Sequence, residues 1–219
     1  VKEEYVLEIE GIVQKRPIKM VNKELVTGEI ELKAQNVKIL AKAAPIPFDF
    51  MGKDLNLKLP TLLDYRPLTV RNPEIKNIFK VGERIVNSFR KTLQGLDFTE
   101  FQSPNIVPAV AEGGAEIFRV DYYDYNAYLA QSPQFYKQIM LGAFERVFTV
   151  THVYRAEPSV TTRHLSEYVS LDAEFGFIDS WEELMDMAEK VVGKILNEVS
   201  SQNAPELVFL GVQSSKLSK

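Results

Sequence analysis

Residues 154–174, with the sequence YRAEPSVTTRHLSEYVSLDAE, constrain this chain more than any other stretch. A strand-like run ends near Arg155, a short polar loop carries Arg163 and His164, and a second strand-like run follows. Two antiparallel strands joined by such a loop would direct both guanidinium groups to one place. Because a planar guanidinium binds carboxylate or phosphate oxygens in a forked geometry, the pattern favours a site for a polyphosphate and an acid. The charges alone also allow a hairpin with surface ion pairs.

The order of residues in this stretch favours the first interpretation. RAE followed by TTRHLSE closely resembles motif 2 of class II aminoacyl-tRNA synthetases, in the form used by aspartyl and asparaginyl enzymes. The archaeal and eukaryotic type of aspartyl enzyme is the closest resemblance. The string is long and ordered, so a chance match is improbable. It implies an α+β fold, in which an antiparallel sheet with flanking helices forms part of a class II catalytic domain.

The same resemblance extends to the rest of the chain and predicts its domains. Residues 1–44 contain two strand patterns and the phrases GxVxxRP and TGEIEL, which resemble the last strands of the OB-type β-barrel that precedes the catalytic domain. Residues 45–66 are rich in proline and are predicted to be a linker. Residues 67–219 then form the first part of the catalytic domain. Its helix 73–94 and the strand ending in FTEFQSP resemble motif 1, the dimer-forming element.

Local patterns predict the elements of the catalytic region. Asn72 followed by Pro73 predicts the start of a long helix, and Gly95 predicts its end. A strand is expected over 97–102, and another helix should begin near Ser132.

The second half of the region has equally clear signals. Strands are expected over 147–156 and 168–178, and a last amphipathic helix should open at Ser180 with Glu183 in the capping-box position. The residues predicted to be buried by this helix are Leu184, Met187, Val191, Ile195 and Val199.

The resemblance implies an ATP site formed by motif 2. Arg155 would bind both the α-phosphate and the aspartate carboxylate, and it is the predicted catalytic residue. Glu157 would lie on the adenine side, and Arg163 would reach the γ-phosphate. His164 and Leu165 would complete the adenine-binding loop.

Two further segments are implied to bind the amino acid. Glu112, in the phrase EGG, would lie near the substrate amino group. The phrase AQSPQFYKQ resembles the aspartate-binding segment, with Gln134 and Lys137 in it and Phe135 in place of the usual leucine. In that family the lysine pairs with the side-chain carboxylate of aspartate, whereas asparaginyl enzymes typically carry an apolar residue there. Without the resemblance, Lys137 would be an ordinary surface lysine.

The implied reaction explains why the sequence needs no side chain that acts as a general base. A carboxylate attacks the α-phosphate, so catalysis is mostly positioning and charge neutralisation. Aspartate is already ionised at neutral pH, so no general base is required, and His152 is expected to be structural. Glu167, Asp172 and Glu174 are expected to share one strand face, and any of them could point to the pocket.

Composition limits the alternatives. The chain has 219 residues and a net charge of −4, so any contact with tRNA must be local. It has no cysteine, which excludes disulfides and cysteine-based zinc sites and agrees with a reducing compartment. Neither a signal peptide nor an apolar run long enough to span a membrane is visible, so a cytoplasmic protein is expected.

The resemblance predicts an aspartate–tRNA ligase that uses L-aspartate, ATP, Mg²⁺ and tRNA and forms a homodimer. Motif 3 and the usual Mg²⁺ ligands are not found in the sequence, so we expect a fragment with no metal ligands of its own and little activity alone. Three alternatives stay open: an asparaginyl-tRNA synthetase, an aspartate-activating asparagine synthetase, and a truncated non-catalytic paralogue that binds tRNA or a partner. The OB-like strands argue against the second, because those enzymes lack the barrel.

Overall fold

The computed structural model divides the chain into two compact units, residues Val1–Thr69 and Val70–Lys219. The residues that it describes are 1–23, 25–52, 55–110, 116–158, 161 and 164–213. The boundary between the units lies three residues beyond the predicted linker 45–66. The predicted linker also contains a helix, α1 (Leu59–Asp64), which the sequence analysis did not predict. The assignment of residues 1–44 to an OB-type barrel stays a prediction.

Unit 1 is built around an antiparallel two-stranded ribbon of β1 (Val6–Lys15) and β2 (Ile30–Ala41), which form the two strands expected within residues 1–44. The connection between the strands contains a 3₁₀ turn (Ile18–Met20), and it closes on itself where the Asn22 N–H donates to the Gly28 carbonyl. A β-carbon at Gly28 would collide with the Asn22 carbonyl oxygen, so the glycine of TGEIEL is required by close backbone approach. Helices α1 and α2 (Arg66–Thr69) follow the ribbon.

Unit 2 contains two three-stranded sheets and four helices among its described residues. One sheet has the strand order β3-β7-β8 and the other has the order β4-β6-β5. Its elements are α3 (Pro73–Gln94), β3 (Thr99–Glu100), β4 (Ile106–Val107), β5 (Arg119–Tyr122), β6 (Tyr125–Leu129), α4 (Gln134–Leu141), β7 (Arg146–Tyr154), β8 (Glu167–Phe175), α5 (Trp181–Gln202) and α6 (Ala204–Phe209). This α+β architecture agrees with the predicted fold class.

Helix α3 begins and ends where the sequence predicts. The Asn72 side chain accepts a hydrogen bond of 2.9 Å from the Glu74 N–H, and Pro73 occupies the first helical position. The Gly95 N–H bonds to the Lys91 carbonyl at the other end.

The hydrophobic core of unit 2 lies between α3, α5 and one face of the β7–β8 hairpin. Its buried residues are Phe89, Leu93, Phe98, Phe148 and Val191. Helix α4 contacts β7 and β8 without taking part in this core. The hairpin therefore has a helical layer of α3 and α5 on one face, and its other face is left for α4 and the site described below.

Three expectations about these elements are wrong in detail. The strand expected over 97–102 is reduced to Thr99–Glu100, because Asp97 turns the chain with a positive φ, and it pairs with β7 in parallel. The Glu183 carboxylate accepts from the Asp179 N–H instead of capping at Ser180. Leu184 is exposed, because α3 covers only part of the apolar surface of α5. Among the described residues, no helix is long and apolar enough to cross a membrane.

Candidate active site

The two sheets of unit 2 meet where the motif 2 strand ends. The Tyr154 N–H donates to the Ala130 carbonyl, and the Ala130 N–H donates to the Asn105 carbonyl, both at 2.9 Å. Two residues later, the Ala156 N–H donates to the Glu116 carbonyl. These bonds hold the end of β6, from which α4 follows, beside the end of β7. The segment of Lys137 and the strand that leads to Arg155 are therefore neighbours.

The register of the β7–β8 hairpin decides which side chains share a face. Thr149 lies opposite Asp172, Val147 lies opposite Glu174, and the pairing is one-to-one along the whole hairpin. The Arg155 N–H donates to the Ser166 carbonyl at 3.0 Å and continues this pairing by one residue. Because side chains alternate along a strand, Arg155 belongs to the face that carries Asp172 and Glu174.

Lys137 is the central cation of this face. Its Nζ lies 2.8 Å from Asp172 Oδ1 and 3.0 Å from Glu174 Oε2, and its side chain is only 14% exposed. Burial lowers the pKa of Lys137, but the hydrogen bonds and charges of the two carboxylates outweigh it and raise the pKa above that of an ordinary lysine. Lys137 is therefore a charged lysine that two ion pairs fix in place, and not an ordinary surface side chain.

The start of α4 is fixed by the SPQ sequence. Ser132 Oγ accepts from the Gln134 N–H at 3.3 Å. Pro133 occupies the N-cap position of α4, one residue after the serine that we expected there. Gln134 is the first helical residue and Lys137 is the fourth. One helical turn thus carries two of the four side chains predicted to bind aspartate, and Gln134 is half-buried.

A separate cleft collects four of the five residues predicted to bind ATP. Its volume is about 440 Å³, and its lining comprises Arg155, Glu157, His164, Leu165 and Tyr168. His164 Nδ1 lies 2.7 Å from Thr161 Oγ1, which fixes the imidazole at the rim. A guanidinium, an imidazole and an aromatic ring around one cleft suit a nucleotide, because they offer cationic contacts for phosphates and a stacking surface for a base.

Two residues of this face were not predicted from the sequence. Tyr168 lines the nucleotide cleft, and its spacing of four from Asp172 is the signal that would have placed it on the same face. Thr149 is fully buried opposite Asp172, and its hydroxyl has no hydrogen-bond partner among the described residues. No signal in the sequence distinguishes Thr149 from an ordinary strand threonine.

The expectation that Glu167 shares a face with Asp172 and Glu174 is wrong. Glu167 and Asp172 are five positions apart, and an odd offset puts the two side chains on opposite faces of β8. Glu167 Oε1 lies 2.9 Å from His152 Nδ1 on that opposite face, and both side chains are exposed. Glu112 and Arg163 lie outside the described residues, so their positions stay predictions.

Mg²⁺ has no matching site in the described part of the chain. No group of three histidine, aspartate or glutamate side chains there is placed to hold a metal ion. Asp172 and Glu174 are instead bound to Lys137.

The fold and the composition of this site define a family. Residues 58–217 match the model of the class II tRNA synthetases (D, K and N), and the chain belongs to that family. The aspartate–tRNA(Asp/Asn) ligase of Deinococcus radiodurans is 43% identical over 185 residues, which are 84% of this chain and 42% of that protein. The aspartate–tRNA(Asp) ligase of Pyrococcus abyssi is 37% identical over 209 residues, which are 94% of this chain and 46% of that protein.

Solved structures agree with the fold. The asparaginyl-tRNA synthetase of Pyrococcus horikoshii, complexed with asparaginyl-adenylate, superposes with a TM-score of 0.81 at 28% identity and covers 94% of this chain and 45% of its own. A putative aspartyl-tRNA synthetase of Leishmania major gives 0.81 at 30% identity, with coverages of 94% and 41%. The chain thus spans less than half the length of these relatives.

Proposed function

We propose that this chain supplies the aspartate-binding and part of the ATP-binding machinery of an aspartate–tRNA ligase. The observation that carries the proposal is Lys137, a charged and largely buried lysine of α4 that binds Asp172 and Glu174 on the sheet face to which Arg155 belongs. The Lys137 ammonium has three N–H donors, and Asp172 and Glu174 accept from two of them, which leaves the third for a substrate oxygen. A charge-assisted bond to the carboxylate of aspartate is stronger than a bond to the uncharged amide of asparagine. Relatives named aspartate–tRNA ligases at 37% and 43% identity support the same substrate.

The reaction that we propose has two steps. An oxygen of the aspartate α-carboxylate attacks the α-phosphorus of ATP, the bond to the bridging oxygen breaks, and pyrophosphate leaves with its electron pair. Arg155 neutralises the charge that develops on the α-phosphate. In the second step a terminal ribose hydroxyl of tRNA attacks the aspartyl carbonyl, which releases AMP and gives aspartyl-tRNA.

Arg155 also binds the aspartate carboxylate in this scheme, and the other predicted residues bind one part of a substrate each. Lys137 binds the side-chain carboxylate of aspartate, Gln134 also contacts the amino acid, and Glu112 lies at its amino group. Glu157, His164 and Leu165 surround adenine. Arg163 binds the γ-phosphate. When bound, Mg²⁺ would offset phosphate charge, and we expect its ligands beyond the described residues.

Three wider predictions accompany this function. We propose that the protein acts on tRNA in the cytoplasm and that it assembles as a homodimer. Support for the dimer comes from α3, where Ile78 and Phe79 are exposed on the element that resembles motif 1. An asparaginyl-tRNA synthetase is the second candidate, since such an enzyme superposes on this chain with a TM-score of 0.81.

The substrate is tested by titration with two stable adenylate analogues, aspartyl-sulfamoyl adenosine and asparaginyl-sulfamoyl adenosine. Calorimetry of a protein of the relatives' length that carries this chain should show tighter binding of the aspartyl analogue by about tenfold or more, the value of one charge-assisted hydrogen bond. Tighter binding of the asparaginyl analogue would establish the second candidate instead. Binding of neither analogue, with the fold intact by circular dichroism, would contradict the proposed site.

A further inference from the structure

A chain of side-chain hydrogen bonds links the middle strand of one sheet of unit 2 to the edge of the other sheet. Thr151 Oγ1 on β7 donates to Asn105 Oδ1 at 3.0 Å, across 46 positions of sequence. Ser103 Oγ donates to Thr151 Oγ1 at 3.5 Å. Thr151 is only 9% exposed, and the other two residues are half-buried. We call these three residues the Thr151 network, and its bonds are stronger than bonds in open water because it is largely shielded from solvent.

The Thr151 hydroxyl has one proton to donate and two acceptors within reach. Asn105 Oδ1 lies at 3.0 Å, whereas the His152 carbonyl oxygen lies at 3.5 Å, the limit of a hydrogen bond. The proton therefore goes to Asn105. The donor is itself fixed, because β7 pairs with β8 along all nine of its residues. Asn105 is thus bonded to the most firmly held strand of the site.

Asn105 passes this restraint to β6 through its backbone. It directly precedes β4, and its carbonyl accepts from the Ala130 N–H at 2.9 Å, which extends the β4–β6 pairing by one residue. The Ala130 carbonyl accepts in turn from the Tyr154 N–H, and Ala130 is only 3% exposed. Because β4 has only two residues, its own pairing supplies few bonds, and a side-chain bond at its start contributes a large share of what holds it.

Ala130 lies where the aspartate-binding segment begins. Helix α4 starts four residues later with Gln134, and Lys137 follows in the same turn. The connection is short, so the position of Ala130 sets where the start of α4 stands relative to β7. Arg155 continues the β7–β8 pairing instead and does not depend on Asn105. The Thr151 network therefore restrains the amino-acid side of the site and not the nucleotide side.

We propose that Thr151 is a positioning residue for the aspartate pocket and acts through Asn105. Its hydroxyl fixes Asn105, Asn105 fixes Ala130, and Ala130 fixes the start of the helix that carries Lys137. A binding site works only while its polar groups are held within a fraction of an ångström of their places, so a looser start of α4 lowers the affinity for aspartate. The inference rests on the proposed function for the identity of the substrate and on the contacts above for the positioning.

The kinetic test is aspartate-dependent ATP–pyrophosphate exchange by a protein of the relatives' length that carries this chain. Thr151→Val keeps the branched shape and removes the hydroxyl. The KM for aspartate should rise about three- to tenfold, the value of one buried hydrogen bond. The KM for ATP, and kcat at saturating aspartate, should stay within about twofold of wild type. Thr151→Ser keeps the hydroxyl and should restore the KM for aspartate.

Two further variants separate positioning from stability. Thr69→Val removes another buried hydroxyl, which donates to the Leu62 carbonyl at 2.8 Å, and should lower stability without changing the KM for aspartate. Asn105→Ala should raise this KM as Thr151→Val does, and the double variant should be no worse than either single one, because both changes break the same bond. Additive effects, an equal rise of both KM values, the same rise in Thr69→Val, or a failure of Thr151→Ser to restore the KM would overturn the inference.

Hydrogen exchange tests the positioning step without any substrate. The Ala130 amide should exchange about three- to tenfold faster in Thr151→Val than in wild type, relative to the core amides of α3, which report global opening. Thr69→Val should leave this ratio unchanged. A wild-type ratio in Thr151→Val would overturn the inference. A parent protein that activates asparagine instead of aspartate would contradict the proposed function alone, because the exchange of the Ala130 amide does not depend on the substrate.

Discussion

Lys137 on α4 and Asp172 on β8 form an ion pair in which Nζ lies 2.8 Å from Oδ1. The two residues are 35 positions apart, and only the packing of α4 on the β7–β8 hairpin brings them together. The pair keeps the lysine charged and oriented in a largely buried place. An incoming aspartate carboxylate would therefore meet a cation whose direction is already fixed, which lowers the entropy cost of binding.

Replacement of Lys137 by leucine should abolish the preference for aspartate. Loss of a charge-assisted bond in a closed pocket costs about 2–4 kcal/mol, or about 30- to 1,000-fold in affinity. We expect this loss for aspartyl-sulfamoyl adenosine and nearly unchanged binding of ATP, both measured by calorimetry. Lys80→Leu is the matched control, since Lys80 also pairs with a carboxylate, that of Glu206, but is half exposed on α3. Aspartyl-analogue binding within threefold of wild type would show that Lys137 is only structural.

The same lysine predicts how stability depends on pH. Because the pKa of Lys137 is raised in the folded protein above the usual 10.5, its ion pairs contribute fully below about pH 10.5. The contribution is lost as pH rises through the higher folded-state pKa. Chemical denaturation of wild type and Lys137→Leu should therefore show a stability difference that is constant at neutral pH and shrinks above about pH 10.5. A difference that grows in this range would mean that the pKa is lowered.

Arg155 should act on the rate more than on ATP affinity. We propose that Arg155 binds the α-phosphate, where charge develops during the attack. Arg155→Ala should therefore lower kcat far more than it raises the KM for ATP. Arg163, predicted from the sequence to bind the γ-phosphate, should instead raise the KM when replaced. The assay is aspartate-dependent ATP–pyrophosphate exchange by a protein of the relatives' length that carries this chain.

The matched control for Arg155 is Arg90→Ala. Arg90 pairs with Glu100 at 3.0 Å within the element that resembles motif 1 and does not line the nucleotide cleft, so its loss should leave both constants unchanged. Identical kinetic signatures for the Arg155 and Arg163 variants would show that the two roles are wrongly assigned.

The sequence predicted the parts of this molecule that depend on local chemistry. The Asn72–Pro73 start of α3, its end at Gly95 and the two hairpin strands follow from capping and alternation, which involve neighbours along the chain. Motif resemblance named four of the five residues that line the nucleotide cleft.

What the sequence did not predict depends on packing between distant segments. Nothing in the neighbouring sequence indicates that Asp172 and Glu174 bind Lys137. Nothing local indicates either that Leu184 stays exposed because α3 covers only part of the apolar surface of α5. The position of Glu167 is different, because its odd spacing from Asp172 was visible in the sequence and already excluded a shared face.

Thr149 offers a test of a buried hydroxyl opposite Asp172. Its hydroxyl is fully buried opposite Asp172 and has no hydrogen-bond partner among the described residues, so it carries a desolvation cost without a bond in return. Thr149→Val keeps the branched shape and should raise the free energy of unfolding by about 1 kcal/mol in urea denaturation. A loss of stability of similar size would show that a buried water or another group bonds to the hydroxyl. Thr92→Val, with a buried hydroxyl of the same kind on α3, is the comparison.

The last prediction concerns assembly through α3. Ile78 and Phe79 lie on the helix that resembles the dimer element and are 55% and 53% exposed, while Phe89 of the same helix is buried in the core. Burial of both side chains in a dimer would contribute a few kcal/mol, since a fully buried apolar side chain is worth about 1.5–3 kcal/mol. We expect light scattering to show a dimer at micromolar concentration, and Ile78→Lys combined with Phe79→Lys to give a monomer of unchanged circular dichroism. Tyr123→Lys, at an exposed aromatic residue of the β5–β6 turn, should leave the dimer intact. A wild-type monomer at micromolar concentration would contradict this assembly.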